Sequence, residues 1–500
     1  MSDLIVETTK GKVKGALENE ISVFKGIPFA APPTGELRFR PPQEAKPWTD
    51  VREATQFGPA APQLPSAIDL LNTRELEMDE DCLSLNVFTP AADDAKRPVM
   101  VWIHGGAFIT GTGSSPWYDG TAFTQRDSVV VTINYRLGAL GFLYLDEIVQ
   151  GAAGAANLGI LDQLGALEWV RDNIAAFGGD PGNVTIFGES AGGMSVGTLL
   201  GTPAAKGLFR RAILESGAVR HLSPREEATR IAQEFIDELG LESPSLDELQ
   251  TVPVQKLLEA QGTITFKYWG KTRGLPLQPV LDGVAIPQHP LEAIEQGSTA
   301  EIEILAGTTR DEWLLFALLD PGYESRTEDE LVGIASKIFR SEELARKAIE
   351  TYKVERPDAT PSEILAAIQT DYIFRKPLYE LLEKHKGTAY VYLFQFCSPV
   401  MEGRLGACHA LEIPFVFDSL YAQGVKHFTG PATDEMGELA KAMNEAWFTF
   451  AQTGRPTSKS LPEWPAYDTD RRPTMVFSTP KSEVVNDPLR PERLLWVKET

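Results

Sequence analysis

Cysteine is scarce in this 500-residue chain: Cys82, Cys397 and Cys408 are the whole supply. Three thiols cannot build a disulfide framework, and such usage predicts a reducing, cytoplasmic setting. Long apolar runs are missing too. No stretch reaches the ~18 apolar residues needed to span a bilayer. The start, Met1-Ser2-Asp3-Leu4, has no charged segment followed by an apolar core, so no secretory signal is expected. Positive charge is in deficit: 47 Lys and Arg stand against 70 Asp and Glu, a formal net charge of −23. That balance disfavours nucleic acid and anionic membranes as partners and favours solubility. A cationic substrate would also suit it, but a negative surface is more often only a solvated one. No residues have clustered metal-ligand spacing, and the Gly-rich segments lack a P-loop lysine, so no metal and no cofactor is expected. Repeats and low-complexity tracts are absent. Histidine is rare enough, at six residues, for each to be weighed as a candidate base.

What is present begins with Val184-Thr185-Ile186-Phe187-Gly188-Glu189-Ser190-Ala191-Gly192-Gly193. A β-branched apolar run feeds into Gly-x-Ser-x-Gly, the layout of a strand, a sharp turn and a helix with a strained serine at the apex. The pattern alone is weak, because a second match lies at Gly193-Met194-Ser195-Val196-Gly197. Ser195 follows no strand and falls inside the expected helix, so it reads as a structural serine. Ser190 reads as a nucleophile. Upstream, Val99-Met100-Val101-Trp102-Ile103 ends in His104-Gly105-Gly106-Ala107-Phe108. Attack on an acyl carbonyl creates an oxyanion, which backbone N–H groups on a Gly-rich loop can hold. The candidate donors are Gly106, Ala107 and Ala191. His104 is expected to support this loop by hydrogen bonding.

In α/β-hydrolases the chain order is nucleophile, acid, histidine. That order removes His104. His221 and His385 sit in charged, helix-like surroundings and read as surface residues; His289, in Pro-Gln-His-Pro, is a turn residue and His427 lies in a polar stretch. His409 hangs in a small-residue loop after the strand-like Tyr390 to Phe396 and is the candidate base. The acid belongs between Ser190 and His409. The strand-like Ile302 to Ala306 leads into a polar turn carrying both Asp311 and Glu312, and composition does not choose between them.

Coarse patterning predicts an α/β fold. Residues near 1–60 look like short strands with Pro-rich turns. Strands near 98–103, 129–135, 183–187, 302–306 and 389–396 alternate with helices, which gives a large, mostly parallel central sheet flanked by helices. Leu161, Leu164, Leu167, Val170 and Ile174 recur at helical spacing. Residues 224–262 and 325–386 read as charged helical insertions that cap the site. A last amphipathic helix spans about 434–453, closed by Gly454 and followed by Pro456. The motifs are spread over 1–500, which reads as a single domain, monomeric or homodimeric.

Further motifs occur in order: Phe24-Lys25-Gly26-Ile27-Pro28-Phe29-Ala30, Glu80-Asp81-Cys82-Leu83-Ser84-Leu85-Asn86-Val87, Asn157-Leu158-Gly159-Ile160-Leu161-Asp162-Gln163 and Phe177-Gly178-Gly179-Asp180-Pro181. With the elbow, they resemble the type-B carboxylesterases, the family of bacterial p-nitrobenzyl esterases, animal carboxylesterases, cholinesterases and neuroligins. The bacterial branch is the most similar. The resemblance implies the α/β-hydrolase fold and a serine carboxylesterase acting on small-molecule esters through an acyl-enzyme. It places the acid on Glu312 and the histidine on His409. A carbamate or amide hydrolase with the same triad is the alternative; a non-catalytic, neuroligin-like binding protein fits less well, because the nucleophile is intact.

Three departures from the family stand out. The partner position of Cys82 is Ala61, so the eukaryotic disulfide cannot form. The intervening loop lacks the choline-binding tryptophan. The glycine after the acid is replaced by Trp313. The resemblance also implies pocket residues. Arg273 and Leu275 stand where cholinesterases narrow the acyl side with aromatics, before Pro279-Val280-Leu281-Asp282-Gly283. Trp313, Leu315 and Phe316 follow the acid, and Phe108 adjoins the oxyanion loop. Arg273 and Leu275 leave the acyl wall without aromatics, and the mostly apolar lining predicts binding of aryl and medium acyl esters by burial; the Gly-Gly-Ala loop implies room for bulky alcohols.

Overall fold

The computed structural model describes residues 4–65, 76–268 and 275–496. Arg273 falls outside them. Among the described residues, eleven strands form one sheet. From one edge the order is Glu483–Asn486, Pro473–Phe477, Ala389–Phe394, Glu303–Thr309, Arg211–Glu215, Gly179–Glu189, Arg97–Ile103, Val129–Ile133, Ser84–Thr89, Ile21–Pro28 and Ala16–Glu18. Every pair from Pro473–Phe477 to Val129–Ile133 is parallel, and the pairs toward both edges are antiparallel. The mostly parallel α/β sheet predicted from the sequence is therefore present.

Parallel strands need both faces covered, so they read as continuous apolar runs. Arg97–Ile103, Val129–Ile133 and Arg211–Glu215 are buried at every position. The period of two still sorts the side chains. Val99, Val101 and Ile103 pack with Leu167, Val170 and Val196 on one face; Met100 and Trp102 pack with Phe187, Met443 and Trp447 on the other. The first face is covered by helices Leu158–Asn173 and Ala191–Gly201, the second by helix Asp434–Thr453. The last helix starts at Thr433, whose hydroxyl accepts from Met436 N–H, and ends at Gly454 with φ 81°. The Gly454 stop is the one read from the sequence; the Thr433 cap was not named there.

Strand Arg211–Glu215 is not among the sequence expectations, and the elbow strand is longer than expected, covering Gly179–Glu189. The two insertions carry helices Arg225–Glu238, Leu246–Thr251 and Val254–Tyr268, then Glu328–Phe339, Glu342–Val354, Pro361–Thr370 and Lys376–Lys384. Among the described residues, no helix is long and apolar enough to cross a membrane. Cys82, Cys397 and Cys408 are free thiols, with Ala61 and Cys82 both buried in the core.

Candidate active site

Strand Gly179–Glu189 ends and helix Ala191–Gly201 begins with one residue between them, Ser190. Its φ of 57° and ψ of −123° are rare for a residue with a β-carbon, so the turn holds it under strain. The packing leaves little choice. A β-carbon on Gly192 would lie 2.0 Å from the Ile103 carbonyl oxygen, because helix and neighbouring strand touch there. Ser190 N–H donates to Glu215 O at 2.9 Å, and Ser190 O accepts from Met194 N–H at 2.8 Å. Ser195 is fully buried in the helix and its hydroxyl accepts from Gln163 Nε2 at 3.0 Å, a structural contact as expected.

The loop after strand Arg97–Ile103 crosses in front of Ser190. Gly106 has φ 109° and Ala107 φ 54°. Among the described residues, the N–H groups of Gly106, Ala107 and Ala191 have no acceptor. His104 lies beneath the loop: its Nδ1 is 2.8 Å from Gly105 O, and its ring stacks on Tyr135 at 4.5 Å. Burial lowers its pKa from 6.5 to about 4, so it is neutral. Phe108 corrects one expectation. With φ 61° it turns inward and packs on Phe142 at 4.8 Å, fully buried and away from the cavity wall. Leu275 corrects another, packing against the core rather than lining the cavity.

Strand Glu303–Thr309 leads to Glu312, which is fully buried. Glu312 Oε1 accepts from Thr309 N–H at 2.8 Å, and Oε2 lies 2.6 Å from His409 Nδ1. Asp311 faces elsewhere, pairing with Arg310 at 2.7 Å and accepting from Ala407 N–H at 2.9 Å. His409 sits between two rings, with Phe374 at 4.8 Å and Phe316 at 5.2 Å. His221, expected at the surface, is only 7% exposed, and burial lowers its pKa to about 4. His289 caps helix Pro290–Glu295 by accepting from Leu291 N–H, while His385 lies half-buried against Thr299.

Sequence reasoning missed a group of buried carboxyls behind the elbow. Glu189 Oε1 lies 3.1 Å from His409 Nε2, without the alignment of a hydrogen bond. Burial raises the Glu189 carboxyl well above its ordinary range, and Glu412, Glu312 and Glu215 push the same way. Glu412 is raised by burial and by Glu312 and Glu215, although it accepts from Ser216 Oγ at 3.1 Å. Glu215 is pushed up to about 8 by burial, opposed by a 2.7 Å hydrogen bond from Trp447 Nε1. Burial and the neighbouring carboxyls thus push Glu189 and Glu412 in the same direction, toward the protonated form. The one signal in the sequence is position: Glu189 and Glu215 end apolar strands, where a solvated charge does not belong.

A cavity of about 870 Å³ opens over Ser190 and His409. Its inner wall includes Gly105, Gly106 and Ala107; Trp313, Leu315 and Phe316 also line it. Gln261 to Phe266 and Ile334 to Gln369 contribute wall residues from the two helical insertions.

Residues 2–495 match the profile described as "Carboxylesterase family". The chain is 42% identical over 492 residues to the para-nitrobenzyl esterase of Bacillus subtilis, covering 98% of this chain and 97% of that one. It is 36% identical over 508 residues to the phenmedipham hydrolase of Pseudarthrobacter oxydans, covering 98% of each. The crystal structure of carboxylesterase EST55 from Geobacillus stearothermophilus superposes with a TM-score of 0.88 at 42% identity, over 99% of this chain and 100% of that one. This chain belongs to the carboxylesterase family, with the α/β-hydrolase fold, and is a carboxylic ester hydrolase.

Proposed function

We propose that Ser190 is the nucleophile, His409 the general base and Glu312 the acid that orients it. The observation that carries this reading is the 2.6 Å contact from His409 Nδ1 to Glu312, with His409 and Ser190 lining the same cavity. His409 Nε2 takes the hydroxyl proton of Ser190 as its oxygen attacks the ester carbonyl. Glu312 fixes the tautomer and stabilises the imidazolium. The oxyanion rests on the N–H groups of Gly106, Ala107 and Ala191, which are free to donate. The alcohol departs with the proton from His409, and water then hydrolyses the acyl-enzyme.

Aryl and short-to-medium acyl esters, bulky alcohols included, are the substrates this cavity supports. Its volume exceeds what an acetyl ester fills, and Ile109, Leu315, Phe316 and Leu365 offer apolar surface for binding by burial. Ester cleavage stands ahead of the carbamate or amide alternative because the family and the para-nitrobenzyl relative are named as esterases. The helical insertions, 224–262 and 325–386, cap the site within a single 1–500 unit. Three unpaired thiols support a reducing, cytoplasmic setting. The test is kcat/KM for acetyl, butyryl and benzoyl esters of one alcohol, with the matching benzamide. Butyryl and benzoyl esters should equal or exceed acetyl, and the amide should trail all three. A sharp preference for acetyl would defeat the substrate reading.

A further inference from the structure

One turn of the second insertion departs from α-helical geometry directly above the acid loop. Helix Pro361–Thr370 runs into a π-helical turn, Asp371–Arg375, closed by Lys376 N–H donating to Asp371 O, an i→i+5 bond. In an α-helix residue i+5 points roughly 140° away from residue i. A π-turn closes at i+5 and brings that residue back over i. Thr370, Phe374 and Arg375 thereby share one face.

All three residues grip the groups assigned above to chemistry. Thr370 Oγ1 accepts from Trp313 N–H at 3.0 Å, one residue past Glu312. Arg375, 3% exposed, donates from Nη2 to Arg310 O at 2.8 Å and to Thr309 O at 3.2 Å. Thr309 is also the residue whose N–H holds Glu312 Oε1. Phe374 lies against the His409 ring at 4.8 Å and parallel to Phe316, 11° between planes. Arg375 is itself fixed by Asp371, which also accepts from Tyr352 Oη, and Tyr352 Oη accepts from Trp496 Nε1 at 2.9 Å. Thr309, Arg310 and Trp313 are thus tied to this turn, while Asp311 binds Ala407 of the histidine loop.

We infer that the π-turn Asp371–Arg375 is a positioning element: Thr370 and Arg375 set the height and tilt of the Glu312 loop, and Phe374 sets the imidazole plane. This rests on the proposed roles of Glu312 and His409. Displacing the loop weakens the orientation of His409 in the transition state, and that effect on kcat exceeds the effect on KM of a shift of Trp313 at the cavity wall. The inference therefore requires a loss in kcat with little change in KM.

The experiment compares Thr370→Val, Thr370→Ser, Arg375→Met and Glu312→Gln in steady-state hydrolysis of p-nitrophenyl butyrate, with melting temperatures. Thr370→Val should lower kcat about tenfold, the worth of one buried hydrogen bond, with KM within about twofold. Thr370→Ser keeps the acceptor and should restore wild-type kcat. Arg375→Met should lower kcat further if it folds; Thr370→Val decides the matter if it does not. If Glu312→Gln is inactive while Thr370→Val melts lower yet keeps wild-type kcat, the positioning role is overturned and the acid stands. If Glu312→Gln keeps wild-type kcat, the acid assignment fails and this inference with it.

Discussion

Ser190 and Ser195 both stand in Gly-x-Ser-x-Gly, yet only Ser190 has rare backbone angles and faces a cavity. Ser190→Ala should lower kcat by at least about 10³-fold in a folded enzyme. Ser195→Ala strips Gln163 Nε2 of its acceptor and should cost about 1 kcal/mol of stability with kcat near wild type. Esterase assays beside chemical denaturation separate the two, and a reversed order would move the nucleophile. Glu312→Gln should lower kcat by about 10³-fold or more, Asp311→Asn far less, because only Glu312 reaches His409. Glu189→Gln should stay within about tenfold of wild type, because burial and the neighbouring carboxyls push Glu189 toward its neutral form. Loss as deep as that of Glu312→Gln would show that Glu189 works as an anion. Ser190, His409 and the Asp311–Glu312 pair were legible because each follows an apolar run at a turn. Glu189, Glu215 and Glu412 were not, since a carboxylate in a sequence reads as solvated until packing shows otherwise. Phe108 was misplaced because its inward turn depends on the sign of φ at Ala107 and Phe108.

Helix Ala191–Gly201 and helix Asp434–Thr453 both contain glycine, for different reasons. Gly192→Ala would drive a methyl group into the Ile103 carbonyl oxygen at 2.0 Å, so this variant should fail to accumulate as folded protein. At Gly437, in the last helix, an added methyl group would meet nothing within 4 Å, and Gly437→Ala should raise stability by about 0.5–1 kcal/mol. Thermal melts check both, and a stable Gly192→Ala would contradict the close approach of helix and strand. The end of the last helix was legible because Gly454 is a local signal. Strand Arg211–Glu215 was not, because its place between Gly179–Glu189 and Glu303–Thr309 comes from tertiary pairing on both sides. The π-turn has a local signal that the sequence reading passed over: Pro377, two residues after Arg375, has no N–H to give to the preceding turn.

Buried acids give the whole molecule a pH dependence. Glu215 holds its proton to about 8 in the folded chain, against an ordinary 4.5. Below pH 4.5 both states are protonated and the contribution to stability is complete. As pH rises toward about 8 the unfolded chain ionises first, and that stability is lost. Glu189 and Glu412, raised in the same direction, add to the slope. Glu215→Gln should therefore flatten the fall in melting temperature between pH 5 and pH 8 and be more stable than wild type at pH 8 by about 1–3 kcal/mol. Parallel curves for the two proteins would mean that Glu215 is ionised in the fold. The net charge of −23 was readable from composition, but not that Glu189, Glu215 and Glu412 lie buried with their carboxyls raised above the usual range.

The assignment of Ser190 as the acylated residue is tested most directly by trapping. The enzyme is mixed with excess p-nitrophenyl butyrate, quenched in acid within one turnover, digested and analysed by mass spectrometry. The expected result is one butyryl group per chain, on the peptide containing Ser190, and none in Ser190→Ala. Butyryl on any other residue, or turnover that persists in Ser190→Ala, would contradict it.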